Sequence, residues 1–244
     1  MMKSSNLEGF LFDLDGVIID SELYRDKVTS NLVSSFGFKY DRDKLKPLMS
    51  GKPSLECMKI LTKAYPLNTT SEELESIRRK KIEQLYRKEI PFIEGFLELF
   101  LELNRRFHVP SAVATACDKE YYNLIDSRLN ITKLFQGHVY SSDIVENHKP
   151  SPDIFIYAAK QIRANPSRCI VFEDSPFGIV AGLKAGSRVI AITRTFSKEV
   201  LLEKSGELTG KKTDKNKLLF IPDYTNSAGR IYSFIENKIK ELEN

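Results

Sequence analysis

The sequence predicts an α/β protein built on a parallel sheet and interrupted, after its first strand, by a block of helices. Three observations carry that reading. Short apolar runs bounded by turn signals recur along the chain, and such runs mark strands buried on both faces. From Phe96 onward the segments between them have helical spacing, and alternation of strand and helix implies parallel pairing through right-handed crossovers. Between the first two apolar runs, about 70 residues carry helical periodicity and no strand pattern, far more than an ordinary loop holds. The expected architecture is a Rossmann-like parallel sheet with an inserted all-helical domain.

The elements follow in order. Gly9–Phe12 reads as the first strand. Helical periodicity then runs over Glu22–Phe36, Ser54–Ala64 and Ser71–Lys88, where Ser71-Glu72-Glu73-Leu74 presents a Ser cap with acidic residues in the first turn. Pro91 marks the return to the sheet. Residues 1–19 and 92–244 are therefore expected to form the α/β core and 20–91 the helical domain, with Gly16–Ser21 and Lys88–Glu94 as a hinge. The remaining strands are expected at Val109–Ala114, His138–Ser141, Cys169–Phe172, Arg188–Ile192 and Leu218–Ile221. Helices are expected at Phe96–Arg106, Lys119–Leu129, Pro152–Ile162 and Pro176–Ala185. Ala228–Leu242 closes the chain as a helix, with apolar residues at Ile231, Phe234, Ile235, Ile239 and Leu242. Ser197–Asn216 is polar and reads as a long exposed loop. Its Gly210-Lys211-Lys212-Thr213 is not a P-loop: Gly206 is at the wrong spacing, Gly-Lys-Ser/Thr is interrupted, and the apolar strand follows instead of preceding.

Composition narrows the class. Hydrophobic residues make up 41% of 244, enough for a sizeable core and against wholesale disorder. The net charge of +4 comes from 37 basic and 33 acidic residues. These are interleaved, and the clusters Arg78–Lys81 and Lys211-Lys212 read as solvated faces, so no nucleic-acid partner is expected. Cys57, Cys117 and Cys169 are widely spaced, which argues against a disulfide framework and for a reducing compartment. Cys117 reads as a small structural thiol. His108, His138 and His148 make no zinc pattern. No apolar run approaches the roughly 20 residues of a membrane span, and Met1–Glu8 lacks the apolar region of a signal peptide. A cytoplasmic monomer with no membrane partner is expected.

The chemistry gathers at strand ends. Asp13 and Asp15, two residues apart at the end of the first strand, point to the same side, and buried carboxylates need a cation, hydrogen bonds or a function. Carboxylates at such an edge, followed by Gly16, fit a Mg2+ and phosphate site. The second strand runs into Thr115-Ala116-Cys117. Lys149-Pro150 precedes the helix that starts near Pro152. The fourth strand ends in Glu173-Asp174-Ser175. Each has a plain reading alone: an acidic turn for Asp13 and Asp15, a helix cap for Thr115, a surface cation for Lys149, and a capping signal for Glu173-Asp174-Ser175.

Taken in order, these four motifs closely resemble those of the haloacid dehalogenase superfamily, in its phosphatase and phosphomutase branch. Val17-Ile18-Ile19-Asp20-Ser21-Glu22 and Lys149-Pro150-Ser151-Pro152-Asp153 match its β-phosphoglucomutase-like subgroup. So does Glu173-Asp174-Ser175 followed by Gly178, Ala181-Gly182 and Ala185-Gly186. The resemblance spans Phe10 to about Ile192 and makes the helical insertion that subgroup's cap. It implies that Asp13 is the nucleophile and Asp15 the general acid and base. It implies that Thr115, the backbone N–H of Ala116 and Lys149 grip the phosphoryl oxygens. Mg2+ would be held by Asp13, the backbone carbonyl of Asp15 and Asp174, with Glu173 ligating or supporting. Phosphonate-cleaving relatives lack an acid at the position of Asp15.

The cap is expected to set the substrate through Ser21, Glu22, Arg25 and Lys52. Phosphomutases of this type carry a His at the position of Arg25 and an Arg in the cap loop near Lys52-Pro53, and this chain has neither. An Arg is never deprotonated and cannot serve as a proton-transfer partner, although it can bind an anionic group. The resemblance thus favours a Mg2+-dependent phosphatase acting on a small phosphorylated metabolite, a sugar, polyol or nucleoside phosphate. A β-phosphoglucomutase-type mutase and a non-catalytic phosphate-binding module are the alternatives.

Overall fold

The computed structural model describes residues 7–49, 54–210 and 215–243. The chain divides into two compact units, one drawn from 1–19 and 92–244 and one from 20–91.

In the first unit the strands are β1 (Gly9–Phe12), β2 (Ser111–Ala114), β3 (Val139–Tyr140), β4 (Cys169–Glu173), β5 (Arg188–Ile192) and β6 (Leu218–Ile221). They form one parallel sheet in the order β3-β2-β1-β4-β5-β6. The crossovers run outward from β1 to β3, return to the other side of β1 at β4, and run outward again. The winding direction therefore reverses between β1 and β4, and in such sheets ligands bind beyond the strand ends at that reversal. The register places Phe12 beside Phe172, so Asp13 leaves β1 level with Glu173.

Both faces of the sheet are covered, which is why the strands read as unbroken apolar runs. Phe10, Phe12 and Phe172 face one layer, where Phe12 stacks on Phe172 at 4.5 Å and meets Phe96, Phe100 and Phe135 edge-on. Leu11, Ala112, Val171 and Val189 face the other, against Phe155, Ala158, Ile179 and Leu201. The helices of this unit are α5 (Phe96–Phe107), α6 (Lys119–Leu129), α7 (Ile131–Leu134), α8 (Asp153–Gln161), α9 (Pro176–Lys184), α10 (Lys198–Thr209) and α11 (Ala228–Glu243), numbered after the four of the helical unit.

That unit holds α1 (Ser21–Ser35), α2 (Arg42–Met49), α3 (Ser54–Ala64) and α4 (Ser71–Lys88). Its own core comprises Leu32, Val33, Leu45, Met49, Met58, Leu61, Leu67 and Leu74. Among the described residues no helix is long and apolar enough to cross a membrane.

Two expectations are corrected. Most of the expected loop Ser197–Asn216 is helical: α10 occupies Lys198–Thr209, capped by Ser197 and ended by left-handed Gly210, while residues 211–214, with the Lys211-Lys212 cluster, lie outside the described residues. Leu201 and Ser205 are its buried residues, with Val200 and Leu202 packed partly buried against the same core. The cap of α4 is Thr70 and not Ser71; Thr70 accepts from Glu73 N at 3.1 Å and Glu73 returns the bond to Thr70 N. Helices α2 and α7 were not expected; at 8 and 4 residues they are too short to set up a repeating apolar pattern. In α11 only Ile231 and Ile235 of the five expected apolar positions are fully buried.

Candidate active site

Asp13 sits one residue beyond β1, its N–H donating to Phe172 O at 3.0 Å, and its side chain is buried. The ammonium of Lys149 reaches it from the loop before α8, with Nζ 2.5 Å from Oδ1. The same Nζ lies 2.7 Å from Glu173 Oε1 and 4.7 Å from the centre of the Phe155 ring. Phe155, on the first turns of α8, thus supports the buried stem and head of the lysine. The Lys149–Pro150 peptide bond is cis.

Glu173 ends β4 and is almost wholly buried. Its Oε2 accepts from Asp174 N at 2.8 Å, Ser175 N at 2.9 Å and Ser175 Oγ at 3.0 Å, while Oε1 accepts from Lys149. Both oxygens are engaged, so Glu173 orients Lys149 and the turn into α9. Ser175 also caps α9 through Gly178 N at 3.1 Å, so the site reading and the capping reading of Glu173-Asp174-Ser175 are both realised.

Burial pushes the Asp13 carboxyl up to about 7; the Lys149 ammonium opposes this, and Glu173 and Asp15 add to it. Burial alone would lower Lys149, but the Asp13 and Glu173 carboxylates prevail and hold it well above the usual lysine range.

Asp15 lies in a tight turn, its backbone bridged to Ile19, with Gly16 N donating to Ile19 O at 2.9 Å. Gly16 has φ +77°, and a Cβ there would sit 1.9 Å from Asp174 Oδ2. Only glycine supplies both that conformation and that clearance. Asp174 is also held by Thr195, whose Oγ1 donates to Oδ2 at 2.6 Å.

Thr115 follows β2 directly, and its Oγ1 accepts from Cys117 N at 3.0 Å. With that acceptor role filled, the hydroxyl hydrogen remains available to an incoming oxygen. Ala116 is exposed, and its carbonyl accepts from Ser142 Oγ at 3.0 Å. The cap of α6 is Asp118 and not Thr115.

The donor chemistry fits a hard dication. Asp13, Asp15, Glu173 and Asp174 bring four carboxylates to an edge where Lys149 is the lysine. Among the described residues no group of three His, Cys, Asp or Glu side chains closes a metal site by itself. Mg2+ suits such a set, since it binds through one or two carboxylates and completes its shell with water and substrate phosphate.

Of the residues expected in the cap, Ser21 is buried at the start of α1. Arg25 pairs with Glu22 at 3.4 Å, and Lys46 bonds Asp26 at 2.7 Å and also Glu22. Burial would raise Glu22, but Lys46 and Arg25 hold it below the usual range. Lys52 lies outside the described residues.

Sequence reasoning missed Phe155, Thr195 and Tyr224. Thr195 was findable as a polar residue just past a strand end. Tyr224, fully buried, donates its hydroxyl to Val17 O at 2.8 Å, and nothing local marks it.

An open parallel sheet with carboxylates gathered at the ends of its first and fourth strands, at the reversal of winding, has the layout of an α/β enzyme. The chain belongs to the haloacid dehalogenase-like hydrolase family, whose model matches residues 10–192. It is 27% identical over 184 residues to fructose-1-phosphate phosphatase of Escherichia coli (strain K12), covering 75% of this chain and 95% of that protein. To 6-phosphogluconate phosphatase of the same organism it is 25% identical over 185 residues, covering 76% and 82%. A solved haloacid dehalogenase-like protein from Agrobacterium tumefaciens shares the fold with a TM-score of 0.75 at 23% identity, over 93% of this chain and 98% of the other. Phosphatase is the activity class to which family and named relatives assign the chain.

Proposed function

We propose that the protein is a Mg2+-dependent phosphatase that hydrolyses a small phosphate monoester, of a sugar, polyol or nucleoside, through an aspartyl-phosphate on Asp13. The observation that carries this reading is the contact between Lys149 Nζ and Asp13 Oδ1 at 2.5 Å, backed by Glu173. Lys149 favours the ionised, nucleophilic form of Asp13 against its burial and brings a cation to where phosphoryl oxygens would gather.

In the first half-reaction Asp13 Oδ attacks phosphorus and the ester P–O bond breaks. Asp15 gives its proton to the leaving oxygen. In the second, Asp15 takes a proton from water, which attacks the phosphorus, releases inorganic phosphate and restores Asp13. Thr115 Oγ, the Ala116 N–H and Lys149 grip the phosphoryl oxygens. Asp13, the Asp15 carbonyl and Asp174 would hold Mg2+, with Glu173 supporting through Lys149. When bound, the ion supplies positive charge against the negative charge that spreads over the phosphoryl group.

The helical unit acts as the cap in this reading, with Ser21, Glu22, Arg25 and Lys52 as its specificity contacts. The relatives that act on fructose 1-phosphate and 6-phosphogluconate support a phosphorylated carbohydrate as substrate. Arg25, which cannot shuttle a proton, weighs against the mutase. Arg25→Ala raises KM for an anionic sugar phosphate and leaves an aryl phosphate unaffected; equal effects on both refute a specificity role.

The test is phosphate release with Mg2+ across sugar, polyol and nucleoside monophosphates, with Asp13→Asn as control. Release that needs both Mg2+ and Asp13 supports the phosphatase. Isomerisation of β-glucose 1-phosphate without release moves the reading to the mutase. Full activity in Asp13→Asn overturns it.

A further inference from the structure

We infer that Thr195 is a positioning residue that orients the Asp174 carboxylate for the divalent cation and thereby sets the affinity of the site for it. The inference rests on the proposed function, which makes Asp174 a metal ligand.

Two observations bear on one oxygen. Thr195 Oγ1 donates to Asp174 Oδ2 at 2.6 Å, at the short, charge-assisted end of O–H···O bonds. Gly16 approaches the same carboxylate so closely that a Cβ would lie 1.9 Å from Oδ2 and 2.5 Å from Cγ. The carboxylate thus packs on the bare Cα of Gly16 while it accepts from the Thr195 hydroxyl, and rotation about its Cβ–Cγ bond would break the bond to Thr195.

Thr195 is itself clamped. Two residues earlier, Thr193 donates its N–H and its Oγ1 to Ile221 O at 2.8 and 3.1 Å. One residue later, Phe196 is buried in the core, and Ser197 then caps α10. The hydroxyl is therefore presented from a short segment fixed at both ends by the sheet and the core. Mg2+ demands near-octahedral ligands and dehydrates reluctantly, so a carboxylate left free to turn binds it less well.

The test uses metal-free full-length protein. Mg2+ is titrated calorimetrically, and Mn2+ is titrated by loss of its free-ion EPR signal, into wild type, Thr195→Val, Thr195→Ala and Thr195→Ser. The valine and alanine variants are expected to bind about 10–100-fold more weakly and the serine variant within about twofold of wild type, as for outer-shell partners of metal ligands. In turnover, the Mg2+ concentration for half-activation rises correspondingly, while kcat at saturating Mg2+ returns to near the wild-type value. A role in folding alone would move neither binding curve. Unchanged affinity in a folded valine or alanine variant overturns the inference and leaves the proposed function standing. Wild type that binds neither ion overturns the metal assignment on which both rest.

Discussion

Gly178 leaves the space that Glu173 fills: a Cβ at Gly178 would lie 1.6 Å from Glu173 Oε1 and 1.9 Å from its Cδ. Gly178 is on the first turn of α9, where Gly→Ala ordinarily stabilises a helix by about 0.5–1 kcal/mol. Here the sign reverses. Glu173 is tied to Lys149, Asp174 and Ser175 and cannot swing aside without losing them. Gly178→Ala is expected to cost about 1–3 kcal/mol, the range for overpacking, read as a lower denaturation midpoint in urea. Turnover falls with it, because Glu173 holds Lys149.

Asp13 predicts an unusual pH dependence for the metal-free protein. Its carboxyl is raised to about 7 in the folded state, above its unfolded value of about 3.9. Between these values the folded state holds a proton that the unfolded state has released. The stability this group contributes is present below about pH 4 and is lost as pH rises towards 7. In EDTA, the midpoint of wild type is expected to fall from pH 5 to pH 8 more than that of Asp13→Asn. Parallel profiles for the two proteins would refute the burial argument.

Tyr224→Phe keeps the buried ring and removes the hydroxyl that donates to Val17 O. Val17 belongs to the turn that carries Asp15 and Gly16. The loss is expected to be about 1 kcal/mol of stability. Turnover of an alkyl phosphate is expected to drop more than that of a nitrophenyl phosphate, whose leaving group needs less help from an acid. Equal losses on both substrates would separate Tyr224 from the placement of Asp15.

Thr70 and Ser71 can be told apart in the helical unit. The reciprocal bonds between Thr70 and Glu73 make Thr70→Ala cost about 1 kcal/mol. Ser71→Ala, at the first helical position, gives up only the hydroxyl contact with Thr62 Oγ1 at 3.1 Å and is expected to cost less than Thr70→Ala. Equilibrium denaturation followed by circular dichroism measures both.

Much of the fold was legible because its signals are local. β1, β5 and β6 fall on the expected residues, as do α3, α4 and α6, since apolar runs and helical spacing depend only on neighbours in the chain. Asp13, Asp15, Thr115, Lys149, Glu173 and Asp174 were readable as candidates because each follows a strand or precedes a helix. The miss at α10 has the converse cause: a helix that buries little besides Leu201 and Ser205 leaves almost no periodic trace.

By itself, then, the sequence determined most of the strands and helices, where the helical block interrupts them, and which polar residues stand at strand ends. Only the tertiary structure decided that β4 lies beside β1, which puts Asp13 level with Glu173. It alone brought Lys149 to Asp13 across 136 residues and Tyr224 to Val17 across 207. It also set Thr195 against Asp174, and Gly16 and Gly178 against the carboxylates they make room for. The reason is physical: local patterning specifies what an element is, whereas its partners follow from how the crossovers close and how the side chains pack once the sheet has formed.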